Sequence, residues 1–446
     1  MNSKNNKILC VVSSYHQYQA YIQTQALKEI KDGVVFIITP GLMKMDFGVS
    51  SDRIFSYTYP DHKNILHRYV FNINICMRRH DPSWGRYAWF SKRQKRIYRI
   101  LSLPVLNEIA KFIFLKRAED KNLFELIKKI NPAVILLPSH VYEGRTFEII
   151  RIAKKMKIPS FLIIDNWDTL SNRTIFTVKP DYLGVWSKQQ VEQAVSWMGM
   201  PNKRVFILGT PKFMDYMKPE SRLQPSPYPF RYALCVGMSD QFDELGALKK
   251  MDEIIERRNI DLKVVYRPYT TQHTRNCPDV FFEYDFKHVI LDTPAKLYYK
   301  RSAAWHVSSK DGFNPIYSPD HSYYPKLLSS MEFMISPQTT MILEASLFDK
   351  KVYILAYNDG VHSFGPHWAF NQGRYLFNLE RLENIRMIYK IEDMEKIFTP
   401  GDELKQSVLP AQASEPIDID YFVSKEATAN YPANLKRTID TILTSL

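Results

Sequence analysis

The chain has 446 residues, 45% of them apolar and 24% charged, with a formal net charge of +13. That length implies two or three domains with ample core, and no segment approaches the roughly 20 apolar residues of a membrane span. Four scattered cysteines (Cys10, Cys76, Cys235, Cys277) lack metal-ligand spacing. Cys10 and Cys235 lie inside apolar runs and are expected as buried free thiols. The apolar run near the N-terminus, Ile8 to Val12, is too short for a signal peptide, so a cytoplasmic location is expected. The excess base favours an anionic partner. Without an RNA-binding signature or zinc-finger spacing, that partner is not expected to be nucleic acid.

Lys7 to Val12 reads as a first strand, Ser13 to His16 as its loop, Gln17 to Ile30 as a helix and Val34 to Thr39 as a second strand. This βαβ opening implies a parallel sheet covered by helices. It lacks the glycine-rich fingerprint of a dinucleotide site, and no cofactor is expected. Residues 40–130 are less regular. Within them, residues 78–99 hold eight Lys and Arg against Asp81 alone, interleaved with Trp84, Tyr87, Trp89, Phe90 and Tyr98. That mixture suits an anionic bilayer surface, or else a solvated helix with its aromatics inward. A helical stretch from Pro104 to Ile130 follows.

The pattern then turns regular. Ala133 to Leu137 is a strand, Ser139 to Gly144 a loop, Arg145 to Lys157 a helix, and Ser160 to Ile164 a strand ending in Asp165-Asn-Trp-Asp168. Tyr182 to Trp186 and Arg204 to Leu208 are further strands around a helix at Lys188 to Met198. Residues 1–217 are therefore expected as one doubly wound domain. Residues 218–230, rich in proline, read as a linker. A second α/β domain is expected over 231–395, with strands at Tyr232 to Val236, Leu262 to Tyr266 and Val289 to Leu291 and a helix at Asp243 to Arg258. Residues 396–446 would be an extension ending in a helix.

The stretch Met331 to Ala356 reads as strand, turn, helix, strand. Ser336 is placed to cap the helix and Pro337 to open it. Thr339 and Thr340 would then sit in a first turn that presents N–H groups and hydroxyls to a phosphate. Glu344, one turn below Thr340, would accept from ribose hydroxyls. In doubly wound sheets, ligands sit at the carboxyl ends of strands. Ser13 to His16, Ser139 to Glu143, Asp165 to Asp168, Gly237 to Ser239, Arg267 and Ser336 to Thr340 all map there, so two such domains are expected to face a ligand-binding cleft.

Three blocks resemble, in order, those of bacterial GT-B glycosyltransferases: Asp165 to Arg173, Lys179 to Trp186, and Arg204 to Lys212. The similar groups are capsule and lipopolysaccharide enzymes related to CDP-glycerol glycerophosphotransferases and to Kdo and nonulosonic acid transferases. Ser336 to Thr340 with Glu344 looks like their nucleotide-binding helix, and Arg267-Pro268 like the start of an Arg-Pro-His motif. Here the tryptophan block ends in Arg173 instead of lysine, and Tyr269 stands in place of the histidine. The resemblance covers roughly residues 130–215 and 232–356.

It implies a GT-B-like α/β fold and metal-independent transfer of a sugar, including acidic sugars, from a nucleotide donor to a surface-polysaccharide acceptor. A cytidine donor is implied by the relatives alone, while the basic composition fits an anionic donor, an anionic glycan or a lipid-linked acceptor at the inner membrane. Ser336, Thr339, Thr340, Glu344, Gly237 and Arg267 would bind the nucleotide, and Arg267 would otherwise be an ion pair holding a strand end. Asp165 or Asp168 would be the base, with Asp165 alternatively a turn residue; His16 is the next candidate. His140 and Glu143 would touch the acceptor, and Asp320 to Tyr324 would border the donor. No residue set has metal spacing. The alternatives are transfer of a polyol phosphate from a CDP-polyol, a UDP-sugar epimerase of the same architecture, and a non-catalytic scaffold.

Overall fold

The computed structural model describes residues 7–77, 90–139, 144–173, 176–238, 242–269, 284–294, 322–363, 365–372, 376, 378–399 and 415–445. The chain forms two compact units: Met1–Met214 together with Asp420–Leu446, and Asp215–Ile419.

The first unit is built on seven strands: β1 (Ile8–Val12), β2 (Val34–Ile38), β3 (Ile54–Ser56), β4 (Val134–Ser139), β5 (Ser160–Ile164), β6 (Tyr182–Val185) and β7 (Val205–Ile207). Their order is β3-β2-β1-β4-β5-β6-β7, and every pairing is parallel. β1 is an interior strand of this order, with Cys10 opposite Phe36 on one side and Leu136 on the other. Burial on both faces explains why β1 and β2 are unbroken apolar runs and why β5 is apolar after Ser160. Gly184 in β6 has to be small: a Cβ there would stand 2.7 Å from Leu208.

The second unit has six strands: β8 (Tyr232–Val236), β9 (Lys263–Arg267), β10 (Val289–Leu291), β11 (Phe333–Ser336), β12 (Lys351–Leu355) and β13 (Ile385–Ile388). The order is β10-β9-β8-β11-β12-β13, again all parallel. Each sheet thus reverses its direction of travel once, between β1 and β4 and between β8 and β11.

Several elements depart from expectation. The helix foreseen over Gln17 to Ile30 is instead a short helix at Tyr15–Tyr18, a wide turn at Gln19–Gln23 and a 3-10 turn at Lys28–Gly33. Gln25 adopts φ 59°, which no continuing α-helix contains, and the Thr24 hydroxyl donates to the Ala20 carbonyl at 2.6 Å. The single stretch foreseen from Pro104 to Ile130 is two helices, Pro104–Lys116 and Lys121–Ile130, because Asp120 caps the second by accepting from Leu123 N at 2.9 Å. In the proline-rich segment 218–230, Tyr228 is buried and bonded inside the second unit.

The segment Asp420–Leu446 returns to the first unit. Phe422 packs edge-on against Trp167, Tyr431 against Tyr21, and the Thr428 hydroxyl accepts from Thr210 N at 3.2 Å. Gly209, at φ 73°, lets the two backbones touch: a Cβ there would stand 2.4 Å from Thr428 N. Cys10, Cys76 and Cys235 are buried free thiols, and burial pushes the Cys10 and Cys235 thiols far up in pKa.

Candidate functional site

Where the strand order of a doubly wound sheet reverses, neighbouring loops part and leave a crevice for a ligand. In the second unit that point lies between the ends of β8 and β11. Gly237 and Met238 follow β8; Ser336 to Thr340 follow the body of β11. Ser336 is the buried last residue of β11 and not the helix cap foreseen. Its hydroxyl donates to the Pro337 carbonyl at 2.8 Å and lies 3.4 Å from the Val236 carbonyl, bridging the two strand ends. The residue before a proline avoids the α region, which keeps Ser336 extended. The helix therefore begins only at Met341 and runs to Leu347, with Thr340 at its N-cap position and Thr339 Oγ1 accepting from Met341 N at 3.4 Å.

Because the helix starts late, Glu344 lies in its first turn instead of the second turn foreseen, and is nearly buried. Its carboxylate accepts from the Tyr216 hydroxyl at 2.8 Å. Burial and the Glu344 charge raise the pKa of Tyr216, so the phenol stays a donor. Gly237 is pinned from below: a Cβ would stand 2.6 Å from the Glu244 carboxylate, which accepts from Met238 N at 2.9 Å and from the Tyr266 hydroxyl.

Arg267 ends β9 and is buried. Its guanidinium pairs with buried Asp292, donates to the Tyr324 hydroxyl at 2.9 Å and lies 5.0 Å from that ring centre. Asp292 in turn accepts from the hydroxyls of Tyr228 at 2.6 Å and Tyr323 at 2.5 Å. Burial opposes the Arg267 charge, but Tyr324 and Asp292 outweigh it and hold the group above its ordinary pKa. Its cation is thus already balanced within the fold.

In the first unit the reversal lies between β1 and β4. Gln17 joins the two ends: its amide accepts from Ser13 N at 2.6 Å and donates to the Pro138 carbonyl at 2.8 Å. His16 is exposed on the short helix beside it, which Ser14 caps. His140 and Glu143 lie outside the described residues, as do Ser239, Asp320 and His321. Asp165 and Asp168 follow β5 and are both buried. Asp165 stands near Tyr21, whose hydroxyl is raised in pKa by burial first, then by Tyr431 and Asp165. The turn around them is held by side chains the sequence reading left without a role. Lys212 donates to the Asp165 carbonyl at 2.6 Å and to Asn166 Oδ1 at 2.8 Å. Gln190 donates to the Asn166 and Trp167 carbonyls at 2.9 and 3.1 Å, and the Trp186 indole donates to the Ile164 carbonyl at 3.0 Å.

Asp292, Tyr216 and Tyr228 were also missed. Asp292 carried a readable signal, since a lone acid directly after an apolar strand sits where ligands or ion pairs are built. Among the described residues no group of three or more His, Cys, Asp or Glu is placed to hold a metal ion. None of their helices is long and apolar enough to cross a membrane.

Two parallel, doubly wound α/β units define a GT-B-like fold. The solved structures that match are consistent with it. They include a UDP-N-acetylglucosamine 2-epimerase from Rickettsia bellii (12% identity, 99% of this chain and 97% of that one, TM-score 0.53). A putative UDP-N-acetylglucosamine 2-epimerase from Listeria monocytogenes matches at 12% identity, 98% and 97% coverage and TM-score 0.51. The UDP-GlcNAc 2-epimerase from Neisseria meningitidis, bound to UDP-GlcNAc, matches at 11% identity, 98% and 100% coverage and TM-score 0.50. No family model and no curated protein matches the sequence.

Against the expectation of glycosyl transfer to a polysaccharide acceptor, the solved structures that this fold resembles are UDP-N-acetylglucosamine 2-epimerases. The physical reason lies in the resembling blocks. Asn166, Trp186 and Lys212 use their polar groups to hold strand ends together. They report the fold and leave the reaction open.

Proposed function

We propose that the protein is an enzyme acting on a UDP-linked sugar and inverting a stereocentre of that sugar, as a UDP-sugar epimerase. The observation that carries the reading is the match to UDP-GlcNAc 2-epimerases along nearly the whole of both chains. The crevice between β8 and β11 supports it chemically. Thr339 and Thr340 offer hydroxyls there, Gly237 makes room for the Glu244 carboxylate that fixes the turn after β8, and Glu344 offers a carboxylate to the ribose diol. Ser336 shapes this turn from beneath. Arg267 is assigned to the buried network that holds β9 and β10, since Asp292 already balances its charge.

Epimerisation beside the anomeric carbon removes a proton from C2 while the C–H electron pair expels UDP from the anomeric carbon, and it is completed when UDP adds back to the unsaturated sugar as a proton returns to C2 from the other face. It needs acid–base groups and stabilisation of developing negative charge, and neither an acceptor nor an external oxidant. Asp165, Asp168 and His16 are the proposed acid–base candidates in the first unit. Of these His16 is the exposed one. The proposed domain limits are those of the two units, and any contact of residues 78–99 with an anionic membrane rests on the helix Lys92–Leu101, since 78–89 lie outside the described residues.

The test is incubation with UDP-N-acetylglucosamine, and in parallel UDP-glucose, in deuterated water. Deuterium entering the sugar ring together with a new epimer supports the proposal. No exchange and no epimer with either substrate, from protein that binds UDP by calorimetry, overturns it. Glu344→Ala is expected to weaken UDP binding by about 1–3 kcal/mol, the scale of a lost charge-assisted hydrogen bond. Unchanged affinity removes Glu344 from the nucleotide site.

A further inference from the structure

The helix Pro104–Lys116 is turned inside out for a soluble protein. Its buried side chains are Asn107 and Phe114, while Val105 is 70% exposed, Ile109 49% and Phe112 61%. These three stand at i, i+4 and i+7, on one face, and Ile113, 52% exposed, lies beside them. The preceding helix Lys92–Leu101 is anchored inward by Tyr98, which accepts from Asn72 at 2.9 Å, and it leaves Ile97 and Ile100 exposed next to the same turn. Leu103, in the two-residue link, is 55% exposed. A contiguous apolar surface of this kind marks an interaction site.

Charge identifies the partner. Residues 92–116 carry seven basic side chains (Lys92, Arg93, Lys95, Arg96, Arg99, Lys111, Lys116) and one acid, Glu108, itself paired with Lys111 at 2.9 Å. An apolar protein patch has no need of that excess, whereas an anionic lipid surface satisfies both halves: acyl chains for the apolar face and headgroup phosphates for the cations. At 13 residues the helix is about 20 Å long. That is too short to span a bilayer and suited to lying along its surface. We propose that this helical pair docks the protein onto an anionic bilayer, with Val105, Ile109, Phe112 and Ile113 entering the interface and the Lys92–Leu101 helix bound to headgroups.

The experiment is co-sedimentation of the purified full chain with vesicles of phosphatidylcholine alone or with phosphatidylglycerol added, at low and high salt. The expected result is binding to the anionic vesicles only, weakened by salt. Ile109→Glu with Phe112→Glu is expected to reduce it at least tenfold, without change in the far-UV spectrum or melting temperature because both side chains are exposed. A Phe112→Trp variant is expected to shift its fluorescence to the blue on the same vesicles. Absence of binding at low salt, or equal binding to both vesicle types, overturns the proposal. So does a concentration-dependent dimer that Phe112→Glu abolishes while vesicles remain unbound, which would make a second copy the occupant. None of these readouts depends on the catalytic reading.

Discussion

The two sheets are built on one plan and fastened by different chemistry. In the first unit, side-chain amides and one lysine tie strand ends together through backbone carbonyls: Gln17 to Pro138, Gln190 to Asn166 and Trp167, Lys212 to Asp165. In the second unit, ionised groups are held by one another and by neutral phenols: Arg267 with Asp292, Tyr228 and Tyr323 with Asp292, and Tyr216 with Glu344. A bond to a carbonyl is worth modest energy and fails gently. A buried ion left without its partner costs far more than the pair contributes. The strand ends of the second sheet should therefore tolerate conservative change poorly at a few points and those of the first more evenly; the first unit keeps its own buried ion group, Glu148 with Arg117 and Arg151, away from these strand ends.

The contrast is sharpest at Asp292. Asp292→Ala strands the Arg267 cation and should destabilise the second unit by about 3–5 kcal/mol in urea unfolding. Replacing both partners with apolar residues should recover much of the loss; no recovery would mean the network stabilises through something other than paired charge. Tyr216→Phe removes a donor from the nearly buried Glu344 carboxylate and should cost about 1.5–3 kcal/mol, read from the same transition. In the first unit, Lys212→Met should cost only about 1 kcal/mol, since it removes bonds to neutral oxygens and strands no buried ion. A larger loss than at Asp292 would reverse the comparison. Asp349→Asn breaks an exposed pair with Arg222 at 2.6 Å and should change stability by less than about 0.5 kcal/mol, which separates burial from mere pairing as the source of the large effects.

What was legible in the sequence follows the same physics. Strands buried on both faces read as apolar runs, so β1, β5, β8 and β12 stood out, and with them the α/β class. Glu344 was placed one turn below Thr340 by helical spacing alone. Ser336 was misread because a serine before proline suits both a helix cap and a strand end, and only the bonds to Val236 and Pro337 decide between them. The break after Tyr18 hid in Gln25, whose left-handed backbone carries no glycine to announce it. Asp292 was hidden by distance: its partners come from Tyr228, Arg267 and Tyr323, three separate stretches. The reaction was least legible. Blocks that hold strand ends are shared by enzymes of one fold, whichever bond they make or break.

The return of Asp420–Leu446 to the first unit has a consequence for synthesis on the ribosome. The second unit is a single continuous stretch, Asp215–Ile419, and is complete when Ile419 emerges. The first unit must wait for Phe422, Thr428 and Tyr431, which pack on Trp167, Thr210 and Tyr21. Domains usually mature in the order they are made. Here the part made first matures last: its seven strands are made by Ile207, and the surface that Asp420–Leu446 covers stays open to chaperones for as long as the intervening residues take to translate.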